Sequence, residues 1–220
     1  RRVIDSLLSQ TFKDFEMIIS DNGSKDATEV ICYEYASKDP RVHFVKHKEN
    51  QGAGANFQFV LDKARGEFFM WTGDDDYWEK DHLTKCINYL TNNSDISAYT
   101  TNVKINHRIG VRSGVKKLIN ECPLKRQKNF LQYPGQNSIF YSVYRTKTIK
   151  ELNINKYSYE AGDWKFIFDY IKKNKMDFDE NYIGMIRELG TSKEYKKFSF
   201  FKRIKAILAL KDFYFSFSLK

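Results

Sequence analysis

Three times in its first 76 residues the chain runs a short apolar, β-prone segment into a polar, glycine-containing loop. Residues 15–20 lead to Asp21-Asn22-Gly23-Ser24, and residues 42–45 to the loop 50–56, Asn50-Gln51-Gly52-Ala53-Gly54-Ala55-Asn56. Residues 68–72, an aromatic run, end in Gly73-Asp74-Asp75-Asp76. Helical patterns fill the intervals. Strands alternating with helices over short connections specify an α/β fold, with a mostly parallel central sheet flanked by helices. In such an array the loops after the strands gather along one edge of the sheet, where open α/β folds bind ligands.

The third loop carries the strongest chemical signal. Three adjacent carboxylates repel one another unless something positive lies among them, and hard oxygen ligands suit Mg²⁺ or Mn²⁺, which usually also bind phosphate oxygens. A solvated acidic turn is the plainer alternative.

Helix and strand signals continue along the chain. Val3, Ile4, Leu7 and Leu8 fall on one helical face, and Asp26-Ala27-Thr28-Glu29 fits a capping box opening a helix to about Ser37. Helices are expected over 57–65 and near 80–90, with a strand around 96–103. Residues 104–135 are polar and basic and read as a loop-rich segment or lid. The run 139–144 is β-prone, and Asp163 opens an amphipathic helix with Trp164, Ile167, Phe168 and Ile171 at helical spacing. Because Arg1 opens directly in a helical pattern, a preceding strand and loop are expected outside this sequence.

The net charge of +9 is concentrated at one end. Residues 193–220 hold eight basic residues against Glu194 and Asp212, six of those nine charges. This Phe- and Lys-rich stretch is expected to be a helical tail beyond a domain of residues 1–192. It suits either a helix docked on the domain or an interfacial helix on anionic lipid. Nucleic-acid binding is the poorer account, because no recognised module accompanies the charge. Cys32, Cys86 and Cys122 are widely spaced and odd in number, which favours a reducing cytoplasm over a disulfide framework. No run approaches the ~18–20 apolar residues of a membrane span.

Ser6-Leu7-Leu8-Ser9-Gln10-Thr11-Phe12, Ile18-Ile19-Ser20-Asp21-Asn22-Gly23-Ser24, Asn50-Gln51-Gly52, Ala64-Arg65-Gly66-Glu67-Phe68 and Asp74-Asp75-Asp76 stand in an order and spacing that resembles family 2 glycosyltransferases. The resemblance is strong over 4–90 and moderate over 136–192. It implies the GT-A fold, a Rossmann-like nucleotide-diphospho-sugar transferase architecture lacking its N-terminal strand here. It also implies an inverting enzyme that transfers a sugar from a nucleotide-diphosphate donor, a UDP- or dTDP-sugar, to an acceptor hydroxyl. The expected setting is bacterial cell-surface polysaccharide or lipid-linked glycan synthesis, in the cytoplasm or peripherally at the inner face of the membrane.

The resemblance assigns roles residue by residue. Asp21, with Asn22, would contact the base or ribose of the donor, and a carboxylate can accept from a base N–H or a ribose hydroxyl. An Asx turn closed by Asn22-Gly23 is the local alternative. Gly54 and Asn56 would line the donor site, with glycine permitting close backbone approach; an ordinary helix start is the alternative. Asp76, with Asp74, would hold Mn²⁺ or Mg²⁺ on the diphosphate, stabilising the leaving group. Asp74 or Asp75 would face the ribose or sugar. Asp163 would be the general base on the acceptor hydroxyl, with Glu160 as its substitute, although Asp163 is also a good helix N-cap. Gly162 departs from the commoner acidic pair at that point.

Arg187, in the late segment 187–192, would offset phosphate charge, and Gln136-Asn137-Ser138 would border the acceptor. Trp71, Trp78 and Trp164 suit core packing better than sugar stacking. Two other readings stand beside the transferase. A sugar nucleotidyltransferase would need a Gly-rich basic loop after its first strand, and a non-catalytic nucleotide-sugar or glycan-binding relative would keep the fold alone.

Overall fold

β-Branched and sulfur-bearing residues make Met17–Asp21 (β1) a strand, and it pairs in parallel with Val42–Lys46 (β2) in the register Met17 to Val42. The computed structural model describes residues 1–105, 108–110, 118–132, 137–159 and 162–187. α1 (Arg2–Leu8) precedes β1, and α2 (Thr28–Lys38) connects β1 to β2. Then follow α3 (Ala53–Lys63), β3 (Phe68–Phe69), β4 (Asp76–Trp78), α4 (His82–Asn92), β5 (Ala98–Ile105) and β6 (Arg108–Gly110). α5 (Pro123–Gln132) leads to a 3₁₀ turn at Asn137–Tyr141, β7 (Val143–Arg145) and the short α6 (Thr146–Ile149). A second 3₁₀ turn at Ile154–Tyr157, α7 (Gly162–Lys173) and β8 (Met176–Arg187) complete the described chain.

The α/β architecture is as expected, and the pairing is mixed in direction. β1 and β2 form a separate parallel pair, while the larger sheet runs β3-β7-β5-β8-β4 with β6 on β5. Within it β5 and β8 are parallel, and the β3–β7, β5–β7, β5–β6 and β4–β8 pairs are antiparallel. β8 therefore runs between β5 and β4, and its last residue, Arg187, lies in register with both Ile105 and Asp76.

Several local expectations shift, each for a visible reason. α3 begins at Ala53, because Gly52 turns the chain at φ 87° and its carbonyl accepts from the Asn56 amide at 3.2 Å. Gly54 and Asn56 are therefore helical. Only Phe68 and Phe69 of the run 68–72 pair as a strand, since Trp71 leaves the ladder for the core and donates its indole N–H to the Phe57 carbonyl at 3.1 Å. Asp76 begins a strand. The N-cap of α2 is Ala27, and Asp26 accepts instead from the Thr28 amide at 2.9 Å.

Ile139 to Tyr141 form a turn rather than strand because the Ser142 and Tyr144 hydroxyls bond back to the Ile139 carbonyl at 2.6 and 3.0 Å. The segment 104–135 holds β6 and α5 in addition to residues outside the described set. Arg126 of α5 is buried and donates to the carbonyls of Ile171, Lys172, Asn120 and Glu121, closing the end of α7. Gln136, Glu160 and the tail 193–220 lie outside the described residues.

The largest core is aromatic. Trp71 stacks on Phe140 at 4.9 Å with planes 3° apart, and Phe57, Phe166 and Tyr144 meet the Trp71 ring edgewise. A second cluster joins Ile4 and Leu7 of α1 to Met17, Val42, Trp78, Val103 and Met185, and Tyr141 packs against both clusters. Each such side chain contributes about 1.5–3 kcal/mol through burial, so the sheet ends that carry the polar loops stand on rigid ground.

Candidate active site

Asp21 closes β1 with its side chain turned inward. It is 4% exposed; one carboxylate oxygen accepts from the Ser24 amide at 2.8 Å, and the other, Oδ2, is buried with no partner among the described residues. The loops beside it are tied to each other. Asn22 donates to Asn50 Oδ1 at 2.9 Å and accepts from the Gln51 amide at 2.9 Å. Asn56 donates to the Ser20 carbonyl at 3.1 Å and accepts from the Ser20 hydroxyl at 2.6 Å. Both asparagines thus serve to hold the first two strand-end loops together around Asp21.

The three aspartates divide. Asp74 and Asp75 are exposed, whereas Asp76 is fully buried and forks onto Arg187, whose Nε and Nη2 donate to its two oxygens at 2.6 and 2.8 Å. Burial raises the Asp76 carboxyl above its ordinary range; Arg187 opposes this, and the neighbouring Asp75 and Asp74 add to it. Each oxygen of Asp76, the residue expected to hold the metal, thus accepts one guanidinium hydrogen bond. Arg187, expected to offset phosphate charge, is paired with Asp76 in this structure. Among the described residues no group of three or more His, Cys, Asp or Glu gathers in a form that could hold a metal. A Mg²⁺ or Mn²⁺ bound by one or two carboxylates and completed by phosphates and water fits Asp74 and Asp75.

Asp163 is half-buried in the first turn of α7, its Oδ1 accepting from the Trp164 amide at 2.9 Å. Two glycines fix this turn. A Cβ at Gly162 would meet the Tyr157 carbonyl oxygen at 1.8 Å, and one at Gly54 would meet Ser158 Oγ at 1.7 Å. Gly54 is therefore needed for close packing of α3 on the Ile154–Tyr157 turn and its following serine. Through that turn the Asp21 side of the site is braced against the helix that carries Asp163.

The family model described as "Glycosyl transferase family 2" matches residues 1–174, most of the chain. The chain belongs to that family. The protein named "Putative teichuronic acid biosynthesis glycosyltransferase TuaG" of Bacillus subtilis (strain 168) is 34% identical over 97 residues, covering 44% of this chain and 38% of that protein. The first curated relatives are matched over 30 to 38% of their length by 44 to 45% of this chain, so the match spans roughly a third of each. The S. aureus TarS 1–349 structure in complex with UDP-GlcNAc superposes with a TM-score of 0.68 at 19% identity, covering 94% of this chain and 61% of that one. The mannosyltransferase PcManGT from Pyrobaculum calidifontis, solved with GDP-Man and Mn²⁺, gives 0.59 at 13% identity, over 86% and 52%. These likenesses establish the GT-A fold.

In this family 2 chain the Asp76–Arg187 pair covers one side chain that the sequence motifs passed over. Tyr141 lies beneath the Arg187 guanidinium, 5.2 Å from its ring centre, and burial raises its phenol pKa. In sequence it is one aromatic residue in an apolar run, with no spacing to distinguish it. Trp71 and Trp78 are buried in the cores, the latter bonded to the Thr72 hydroxyl at 2.9 Å, and Trp164 is half-buried beside Phe130. No helix among the described residues is long and apolar enough to cross a membrane.

Proposed function

We propose that this chain transfers a sugar from a UDP- or dTDP-sugar to an acceptor hydroxyl with inversion, in the synthesis of a cell-surface polysaccharide or lipid-linked glycan. The observation that carries the donor reading is the Asp21 carboxylate, one oxygen of which is buried without a donor. Leaving such an acceptor unmade costs about 1–3 kcal/mol, a cost a base N–H or ribose hydroxyl would remove. UDP and UDP-GlcNAc in TarS, and the teichuronic acid biosynthesis in the name of TuaG, support the same substrate class.

Asp163 takes the acceptor proton as its oxygen attacks the anomeric carbon. The bond from that carbon to the diphosphate oxygen breaks, and the electron pair leaves on the nucleoside diphosphate. Asp74 and Asp75 would hold Mn²⁺ or Mg²⁺, which supplies positive charge to the leaving diphosphate. The basic tail 193–220 is proposed to meet an anionic membrane that carries the acceptor.

The test is to incubate the protein with Mn²⁺ and a panel of nucleotide sugars and follow nucleoside diphosphate release. Pyrophosphate release would instead establish a nucleotidyltransferase, and donor binding without turnover a binding relative. Asp21→Asn should weaken donor binding at least ~10-fold, the scale of a lost charge-assisted hydrogen bond, with the melting temperature preserved. Unchanged donor affinity in that variant would remove the nucleoside role.

A further inference from the structure

α5 contains no acidic residue, and it divides its three cations between two faces. Arg126 and Phe130 are buried against α7, with which the contacts run in descending order. Arg126 donates to the carbonyls of Ile171 and Lys172 at 2.7 and 3.0 Å, and Gln127 to that of Phe168 at 3.2 Å. The rings of Phe130 and Trp164 follow, with centres 5.7 Å apart. α5 therefore lies antiparallel along α7, its second half beside the turn that carries Asp163.

The other face is open. At about 3.6 residues per turn, Leu124, Lys125 and Lys128 share the side away from Arg126 and Phe130. All three are exposed, and Leu124, at 74%, is the most exposed large apolar side chain among the described residues. Ile119, just before the helix, is also exposed. Lys172 and Lys173 extend the positive charge onto the last turn of α7. Lys173 is paired with Glu151 at 3.3 Å, and Lys175 with Asp95 at 3.0 Å and with Glu121. Among the described residues no carboxylate pairs with Lys125, Lys128 or Lys172.

A projecting leucine among unpaired lysines complements a bilayer of anionic lipid. The leucine gains by leaving water for the acyl boundary, while the ammonium groups stay at the headgroups with their stems along the interface. A nucleic acid or another purely charged polymer would use the lysines and leave Leu124 in water.

We propose that the outward face of α5, formed by Leu124, Lys125 and Lys128, docks on the surface of an anionic lipid bilayer. The contact is peripheral, with the helix lying in the plane of the interface. α7 then stands one helix layer, about 10 Å, behind the lipid contact, with Asp163 at one end of it. An acceptor hydroxyl carried on a lipid would reach that carboxylate from the same side. This last consequence, unlike the docking itself, rests on the transferase reading given above.

The test is sedimentation of the full chain with vesicles of phosphatidylcholine alone and of phosphatidylcholine mixed with phosphatidylglycerol. Wild type should bind the mixed vesicles only. Lys125→Gln with Lys128→Gln should lower partitioning about 10- to 30-fold, and Leu124→Gln alone at least about 5-fold, with melting temperatures unchanged. A third variant, Lys202→Gln with Arg203→Gln and Lys205→Gln, separates this face from the basic tail. Loss in the α5 variants, with or without loss in the tail variant, supports the proposal. Loss in the tail variant alone overturns it and leaves the tail as the membrane contact. Full binding by Leu124→Gln, with loss only in the lysine variant, would make α5 a general polyanion surface and overturn the lipid assignment. A wild type that binds neither vesicle overturns the docking, and nucleoside diphosphate release from a nucleotide sugar by that same protein would leave the donor reading standing.

Discussion

Asp76 and Arg187 are direct partners across the β4–β8 register, and their side chains close a two-point fork at 2.6 and 2.8 Å with the carboxylate fully buried. The last of the three aspartates is thereby an anchor, which fixes the guanidinium and, through it, the ring of Tyr141. The two carboxylates before it are exposed to solvent. One sequence motif contains two environments, one dry and one wet.

Removing one partner of such a pair strands the other charge. Asp76→Asn should destabilise the fold by about 3–5 kcal/mol, and Asp76→Asn with Arg187→Met should recover much of it, because the pair rather than either charge is tolerated in the interior. Asp75→Asn should change stability by less than about 0.5 kcal/mol while weakening the Mn²⁺ dependence of turnover. Urea unfolding of the three variants separates anchor from ligand; equal stability of Asp76→Asn and wild type would show that the fork is dispensable.

A general base acts on the acceptor and leaves donor binding alone. Asp163→Asn should lower turnover by about 10²–10⁴-fold with UDP affinity within about 2-fold of wild type. Isothermal titration alongside single-turnover kinetics reads both quantities. Retained turnover would move the base elsewhere in the site.

What the sequence revealed was local chemistry at strand ends. Asp21, the aspartate cluster and Asp163 all stood out as candidates, because a carboxylate after an apolar run, or at the start of a periodic one, needs no distant residue to be noticed. The division of labour inside Asp74-Asp75-Asp76 did not, since the residue that claims Asp76 is 111 positions away. Gly54 reads as a gap for a ligand until Ser158 is found filling it. Likewise the run 139–144 has the composition of a strand, and only the bonds from Ser142 and Tyr144 to the Ile139 carbonyl curl its first half. The mixed strand directions come from β7 and β6 pairing antiparallel to β5, and β4 to β8, a choice made by long-range packing.

The two tight glycines carry their own consequence. Alanine at Gly162 would press into a backbone carbonyl at 1.8 Å, so Gly162→Ala should cost roughly 1–3 kcal/mol and displace Asp163, lowering turnover more than UDP affinity. At Gly54 the obstacle is mainly the Ser158 side chain, so the double variant Gly54→Ala, Ser158→Gly should recover part of the stability lost in Gly54→Ala. No recovery in the double variant, measured by thermal melting, would show that α3 and the turn are not in the contact described. The same carbonyl explains why this chain lacks an acidic residue before Asp163: no side chain fits there.

Stability should fall in mild acid because of His82. Its ring is buried against Trp78 at 4.5 Å, with the Thr101 hydroxyl 3.5 Å from Nδ1 and Cys86 Sγ 3.8 Å from Nε2. Burial holds its pKa down to about 3, with Asp81 only partly opposing, against 6.5 for an ordinary histidine. A depressed pKa means that the unfolded chain takes up a proton the folded chain refuses. The stabilisation is complete above pH 6.5 and is lost as pH falls toward 3, by up to about 1.4 kcal/mol per pH unit. Glu34 and Asp39, held near 2 by Arg1 and Arg41, begin to contribute only lower, where their unfolded carboxyls titrate. Urea midpoints measured between pH 6.5 and 5 therefore report chiefly on the histidine. They should decline in the wild type and flatten in His82→Gln, and an equal slope in both proteins would assign the acid sensitivity to another group.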